Sequence, residues 1–468
     1  MIAILGGGFG GLAAAIALAA AGLPVTLLEQ RATLGGKAGE WRAGGFRFDT
    51  GPSVFTLPAL LGELFAQAGR PLPLTLTPLR VLCDYHFASG RRWRVYQDPA
   101  ATTAQLTPGE AASYQALLEL SRQLYEAAAP TFVYGDPPTP LELLRYGLRH
   151  GLAAHPFKTL PQLLSRYGAT GELAQFFLRF ATYFGANPYR APAVLHNIAW
   201  VELGLGVSYP EGGIYGVVRA LEQLARALGV EIRTGVHVTG LALSGRRVQR
   251  VVTDAGALAV DGVISNLDIV RTQLLLNRRA PQARRPQSLS GLVLLLGVEG
   301  ESELGHHTIS FTGDYPAEFA AIAQGRFAED PTLYLNISCK SDPADAPAGC
   351  ENWFVMANAP ALPLSGRALD EAAYAEHLID ILARRKLLSP KQIRLRRVLG
   401  PSYLAALGYR GSIYGTAPHT LLATLRPKQT LAGIDNLALA GGTVYPGGGI
   451  PLCLLSGQAA ARQLLARL

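Results

Sequence analysis

The first thirty residues constrain this chain more than any other stretch. Ile2-Ala3-Ile4-Leu5 is a short, wholly apolar run, the pattern of a strand buried on both faces. Gly6-Gly7-Gly8-Phe9-Gly10-Gly11 follows, with the spacing GxGxxG at Gly6, Gly8 and Gly11. An Ala/Leu-rich helix opening at Phe9 and Gly10 is then expected to run to Gly22, and a second apolar strand, Val25-Thr26-Leu27-Leu28, ends at Glu29. Each part has a mechanical reason. Gly6 permits the sharp turn out of the strand, Gly8 lets a pyrophosphate approach the backbone, and Gly11 lets helix and sheet pack closely. The helix start offers unpaired N–H groups and partial positive charge to phosphates. Glu29 is placed to accept hydrogen bonds from a ribose diol, and its carboxylate would repel a ribose phosphate.

Five residues after Glu29 stands Gly35-Gly36-Lys37. The stretch is not a P-loop: Gln30 occupies the position of the first P-loop glycine and Ala38 that of the Ser/Thr. It resembles the Glu-x5-Gly-Gly-Arg/Lys motif of glutathione-reductase-like and amine-oxidase-like flavoproteins, which implies a place for Gln30, Gly36 and Lys37 at bound FAD, with Lys37 near its phosphates. Phe48-Asp49-Thr50-Gly51-Pro52-Ser53 resembles the Asp-x-Gly-Pro-Ser element of phytoene-desaturase-like enzymes, so Gly51, Pro52 and Ser53 form a rigid turn beside the flavin by that likeness. At the other end, the strand Asn436–Ala440 runs into Gly441-Gly442-Thr443-Val444-Tyr445-Pro446-Gly447-Gly448-Gly449-Ile450-Pro451, with a helix expected from about Leu452 to Arg467. A helix start there would stabilise negative charge on a reduced ring by a few tenths to about 2 kcal/mol. This segment resembles the Gly-Gly-x-x-His-Pro-Gly-Gly-Gly-x-Pro signature of carotenoid desaturases, most nearly that of hydroxycarotenoid 3,4-desaturases, with Tyr445 replacing the His. The resemblance implies that Gly442, Thr443, Gly448, Gly449, Ile450 and Pro451 hold the ring end, and that Val238 touches the adenine through its backbone.

Further likenesses to the phytoene-desaturase-like family fill the middle. Thr107-Pro108-Gly109-Glu110 is a capping box with Pro at the first helical position, followed by Tyr114, Leu117, Leu118, Leu124 and Tyr125 at helical spacing. The prolines of Phe132–Tyr189 punctuate a helical lid, and Leu143–His150 mixes bulky apolar and basic residues suited to a bilayer surface. Tyr209-Pro210-Glu211-Gly212-Gly213 leads into a helix at Ile214–Leu228 and a strand at Val230–Arg233. Gly245–Val252 and Leu258–Val260 read as a hairpin, and Asp261–Asn266 as a strand re-entering the first sheet. Residues 288–403 read as β-rich, with strands at Leu292–Val298, Thr332–Ile337 and Trp353–Ala357. The expected fold is therefore an α/β Rossmann-type FAD domain of the glutathione-reductase kind (1–75, 205–285 and 405–468). It interleaves with an α+β substrate domain of mixed sheet and helical lid (76–204 and 286–404, the lid about 105–200).

Composition narrows the function. Charged residues are 16%, well below the roughly 25% of an ordinary soluble protein, and apolar residues 49%. The chain can bury a large core with apolar surface left for a greasy cavity or a membrane-facing patch. The net charge of +8 is spread without the basic stripe that nucleic-acid binding requires. The four cysteines form no CxxC, no metal-ligand spacing is present, and His306-His307 reads as a surface pair. No apolar run reaches the ~18 residues of a membrane span.

The resemblance implies a two-electron desaturation that adds a conjugated double bond to an acyclic carotenoid, 1-hydroxylated ones included, with non-covalent FAD as cofactor and a quinone or oxygen as electron acceptor. It implies a cytoplasmic protein, peripheral on the inner face of the cell membrane. By resemblance alone, Asp49, His196, Tyr414 and Tyr445 are the candidates for acid–base work. A carotenoid isomerase or saturase, a flavin amine oxidase and a non-catalytic isoprenoid-binding protein share parts of the pattern.

Overall fold

The structure, a computed structural model, describes residues 1–151, 155 and 157–468. The opening apolar run becomes the central strand of a five-stranded parallel sheet ordered Leu437–Leu439, Gly262–Ser265, Ile2–Leu5, Val25–Glu29, Glu231–Thr234. Ile2 pairs with Val25 on one side and with Gly262 on the other. Every residue of Ile2–Leu5, Val25–Glu29 and Gly262–Ser265 is buried, which is why these strands read as unbroken apolar runs. The strands come from residues near 2, 25, 231, 262 and 437, so the sheet closes only when the two chain ends meet.

They meet through helices. The amino-terminal helix Phe9–Ala20, the helix Gly213–Ala227 and the carboxyl-terminal helix Ile450–Leu465 share one core, in which Leu12, Ile16, Val217, Leu221, Leu454 and Leu464 are buried. The terminal helices approach so closely that a Cβ on Gly457 would lie 2.1 Å from the Gly10 carbonyl oxygen. The carboxyl-terminal helix starts two residues earlier than the sequence pattern suggests. Gly449 (φ 105°) is its N-cap, and Pro451 sits in the first turn, where a missing N–H costs nothing.

A second, seven-stranded sheet has the order Ile393–Leu399, Ser290–Glu299, Cys350–Ala359, Leu333–Ile337, His307–Ser310, Val81–His86, Arg92–Tyr96. Only the pairing of His307–Ser310 with Val81–His86 is parallel. Residues alternate across it. Leu292, Leu294, Leu333, Leu335 and Val355 pack under the helix Glu371–Arg384. Val293, Tyr334, Phe354 and Met356 point the other way, into a cavity. The sequence pattern for 288–403 missed this helix and Tyr315–Ala323, and did not place the strands Val81–His86 and Arg92–Tyr96 at the sheet edge.

The expected hairpin of 245–260 is a three-stranded meander, Val238–Ser244, Arg247–Thr253 and Gly256–Ala259. A tighter hairpin pairs Glu40–Ala43 with Phe46–Asp49 across Gly44 (φ 55°) and Gly45 (φ 82°), the two positive-φ residues of a type I′ turn. Its Phe46 and Phe48 pack on Val293, Leu295 and Phe354 and so carry Thr50–Ser53 to the cavity wall.

The capping box forms: Thr107 N–H donates to Glu110 (3.0 Å) and Glu110 N–H to Thr107 Oγ1 (3.3 Å), at the head of the helix Pro108–Phe132. Tyr114, Leu117, Leu118 and Leu124 pack on Leu163, Leu164, Phe176 and Phe177, and Tyr125 faces the cavity. The lid helices continue as Pro140–His150, Leu160–Arg166 and Gly171–Leu178.

The contact between the chain ends makes a testable demand. Gly→Ala inside a helix ordinarily stabilises by about 0.5–1 kcal/mol, as expected for Gly62→Ala, where a Cβ meets nothing within 4 Å. Gly457→Ala should instead destabilise by about 1–3 kcal/mol, because backbone and not a flexible side chain blocks the methyl. Paired denaturant titrations of the two variants measure the difference in sign.

Candidate functional site

One cavity of ≈ 1120 Å³ runs between the two sheets. That is above the roughly 300–1,000 Å³ typical of ligand pockets, with room for more than one bound molecule. Both glycine turns line it. From the first come Gly6, Gly8, Phe9 and Gly10, with Glu29, Gln30, Gly36 and Lys37 beyond them. Gly51, Pro52, Ser53 and Val238 line it too, and from the second turn Gly442, Thr443, Gly448, Gly449, Ile450 and Pro451. Of the residues the motifs point to, Gly11 alone is turned away. A Cβ there would sit 2.0 Å from the Gly6 carbonyl oxygen, so its glycine serves helix-on-strand packing.

The geometry at the first turn suits a diol and phosphates. Glu29 is 5% exposed, and its two oxygens accept from Gly7 N–H (2.8 Å) and Arg31 N–H (2.9 Å). The carboxylate is thereby fixed, with a lone pair left on each oxygen. Lys37 donates to the Ile413 carbonyl, and burial lowers its pKa while Asp268 opposes that shift.

Asn266, which the motifs did not single out as a site residue, stands between the turns. Its Nδ2 donates to the Gly6 carbonyl (3.2 Å), and its Oδ1 lies 2.5 Å from where a Cβ on Gly10 would be and 2.7 Å from one on Gly441. A Cβ on Gly448 would lie 2.1 Å from the Tyr414 ring, whereas one on Gly449 would meet nothing within 4 Å and would project into open space.

Of the four acid–base candidates only Tyr414 lines the cavity, and burial pushes its phenol up to about 12, which makes it a poor base near neutrality. The other three are occupied elsewhere. Asp49 accepts from Ile214 N–H (3.0 Å) and Tyr215 N–H (2.9 Å) at the start of the helix Gly213–Ala227 and pairs with Arg47 (3.1 Å). It is a helix cap of the kind worth about 0.5–2 kcal/mol. His196 is fully buried, donates from Nε2 to the Leu117 carbonyl (2.8 Å), and is held neutral by burial, with a pKa of about 4. Tyr445 donates to the Thr131 carbonyl (2.8 Å), tying the glycine turn to the long lid helix.

The His306-His307 pair is not at the surface. His307 is buried in the sheet, its Nδ1 2.8 Å from Tyr334 Oη and 3.3 Å from Asn336 Nδ2. Burial lowers both imidazole pKa values, that of His306 to about 4. Among the described residues no group of three or more His, Cys, Asp or Glu is placed to hold a metal, and the four cysteines are unpaired.

A polar cluster absent from the motif reading lies in the cavity wall. Arg179 Nη2 pairs with Glu202 Oε1, Arg179 Nη1 donates to Tyr183 Oη (2.8 Å), and Tyr183 Oη donates to Glu202 Oε2 (2.7 Å). The two charged side chains are each 4% exposed. The Arg179 guanidinium stacks on Phe180, 4.0 Å from the ring centroid. Nearby, Tyr334 Oη is 2.7 Å from Ser53 Oγ. Burying such a pair costs several kcal/mol before the mutual attraction offsets it, and removing one partner costs about 3–5 kcal/mol.

A Rossmann-type cradle that opens into an apolar chamber walled by a mixed, mostly antiparallel sheet defines a flavoprotein oxidoreductase fold. The chain belongs to the flavin containing amine oxidoreductase family, whose model matches residues 9–465. It is 34% identical over 98% of its length to a 1-hydroxycarotenoid 3,4-desaturase of a Flavobacterium species, covering 97% of that protein. It is 34% identical over 100% of its length to a 4,4'-diapolycopene oxygenase of a Methylomonas species, covering 98% of that protein. Among solved structures, an oxidoreductase of Methanosarcina mazei superposes with a TM-score of 0.68 at 16% identity, over 98% of this chain and 99% of the other, a likeness of fold.

A flavin is the family's cofactor, and the residues present fit one. Glycine backbone at 448–449 leaves a flat opening, and Glu29 keeps free lone pairs on the same cavity.

One further group, behind the wall, titrates. Glu318 is buried and accepts from Asn358 Nδ2 (2.9 Å) and Thr332 N–H (2.9 Å), both residues of the cavity wall. Burial pushes its pKa up to about 7 against those hydrogen bonds. The folded protein then holds a proton that the unfolded chain releases above about pH 4.3, so stability falls as pH rises and levels off above the folded pKa. Glu318→Gln lacks that loss. Thermal unfolding from pH 4 to 8 should show the wild type losing on the order of 3–4 kcal/mol relative to the variant, nearly all of it between the two pKa values.

Proposed function

We propose that the protein is an FAD-dependent carotenoid desaturase that removes two electrons and two protons, as one hydride and one proton, from an acyclic carotenoid to add one conjugated double bond. The observation that carries this is the single cavity, which joins the Glu29 end and the Gly449 end of a dinucleotide cradle to a long apolar chamber. The Gly6–Gly11 turn receives the pyrophosphate, Glu29 the adenosine ribose, Val238 the adenine, and the Gly448–Pro451 turn the ring. Among the described residues lining the cavity, Cys453 is the one cysteine beside the Gly448–Gly449 turn, and burial pushes its thiol up to about 11, which supports FAD held without a covalent bond.

Bound flavin supplies the hydride acceptor and the redox chemistry. The chain's own residues do the rest. Val293, Phe354, Met356, Ile309 and Leu289 wall the polyene and keep water out. A rigid polyene loses little freedom in such a slot, so positioning supplies much of the rate. The helix Ile450–Leu465 points its N-terminus at the ring site and favours negative charge there. Electrons leave to a membrane quinone or to oxygen, which an oxygen electrode distinguishes.

The same cavity opens past Leu143, Tyr146, Leu421, Leu422 and Leu425. On the helix of Leu143 and Tyr146, Leu141, Leu144 and Leu148 are 53%, 59% and 80% exposed, with Arg145 and Arg149 on the same helix. This rim suits the surface of an anionic bilayer, from which a carotenoid can pass without crossing water. The contact proposed is a peripheral one; among the described residues no helix is long and apolar enough to cross a membrane.

Expression in bacteria that make lycopene or hydroxylycopene tests the reaction. The expected product is red-shifted and lighter by two hydrogens. A product heavier by oxygen would match instead the reaction named for the Methylomonas relative, and unchanged pigment with every precursor contradicts the desaturase reading. Glu29→Ala should weaken FAD binding about 10–100-fold, since it removes a buried charged acceptor, and the purified variant should lose its yellow colour on dialysis.

A further inference from the structure

We propose that Arg179, Tyr183 and Glu202 form a hydroxyl-reading subsite in the wall of the chamber, so that the polyene taken carries a hydroxyl at the end that reaches them. This rests on the carotenoid-desaturase reading above. The cluster sits among Val194, Leu195, Ile198 and Val201, residues that suit hydrocarbon. A purely hydrocarbon end would leave a buried ion pair facing apolar carbon, the least favourable partner for it.

The hydrogen-bond inventory is incomplete in a way that an alcohol completes. Of five guanidinium N–H groups, Arg179 gives one to Tyr183 and one to Glu202, and its Nε is buried without a partner. Each Glu202 oxygen accepts once, from Arg179 and from Tyr183, and keeps a lone pair. A hydroxyl can donate to Glu202 and accept from Arg179 at the same time. A carbonyl would use only the arginine, an ammonium would face its charge, and a carboxylate would face Glu202. The pair is net neutral with one donor and one acceptor side, which selects a neutral alcohol.

The location ties recognition to register. Arg179–Phe184 is one short 3-10 helix, about 10 Å long at ~2 Å per residue. Its last ring, Phe184, lies 3.2 Å from where a Cβ on Gly447 would be, and Gly185 packs on Tyr414 and Ser288. A hydroxyl held by Arg179 and Glu202 therefore fixes which carbons lie over the Gly447–Gly449 turn. These three are positioning and specificity residues.

The test uses the FAD-loaded enzyme and two polyenes of equal conjugation, one hydroxyl-ended and one not. Binding is read by quenching of intrinsic tryptophan fluorescence and turnover by kcat/KM. The wild type should favour the hydroxylated polyene by about 100-fold or more, because a site built to bond a hydroxyl rejects the analogue lacking it. The charge-neutral pair Arg179→Met with Glu202→Met should reduce that ratio to within about threefold. Tyr183→Phe, which removes one oxygen, should lower it about tenfold and supplies the comparison should the double variant not fold. Hydroxyl-dependent binding without turnover supports the subsite while removing the desaturase reading. Equal binding and turnover of both polyenes overturns the subsite and leaves that reading intact. A preference that survives in both variants overturns the subsite, and binding of neither polyene overturns both proposals.

Discussion

The structure depends on the close approach of two chain ends. Gly10 and Gly457 bring the terminal helices to a separation that no side chain permits. Asn266 fills the space between Gly6, Gly10 and Gly441, so the amino-terminal and carboxyl-terminal turns share one polar wedge. Because Leu437–Leu439 and Gly262–Ser265 pair in parallel beside Ile2–Leu5, the sheet, the helix packing and the cavity all depend on the same meeting of the chain ends. A cofactor that touches both turns adds its binding free energy to the same contact.

The cavity shows how an apolar chamber accommodates charge. Most polar groups at its wall are saturated by neighbours. Glu29 is pinned by two backbone N–H groups, and Asp49, just behind the wall, is drawn into a helix cap. Glu318 responds to burial by keeping its proton. The Arg179–Glu202 pair is different, because both residues line the chamber and the pair does not use all its donors and acceptors. In a low-dielectric wall, that difference separates groups that hold the fold from groups that read a ligand.

Much of this was legible in the sequence wherever a local rule applied. The glycine turns, the Glu29 spacing, the capping box at Thr107 and the Gly51-Pro52 turn are short-range patterns with short-range causes; the structure forms the capping box at a helix start and carries Glu29 and most of the turn residues to one cavity. What was not legible is assembled across long distances. Ser53, Arg179, Tyr183, Glu202 and Tyr334 meet in space from segments with no shared motif. Asn266 is informative only once Gly441 is beside it. Asp49 and His196 drew attention by resemblance, yet tertiary packing gives them a helix cap and a core hydrogen bond. The strands Val81–His86 and Arg92–Tyr96 join a sheet whose other members begin some two hundred residues later, a pairing that no local pattern encodes.

The central claim is that one flavin dinucleotide spans the two ends of the chain. A crystal structure of the protein purified with its own yellow cofactor tests it most directly. The account predicts a single FAD with its adenosine ribose on Glu29 and its ring against Gly448 and Gly449. Density that places the flavin on only one of the two turns, or outside the cavity they share, would contradict it.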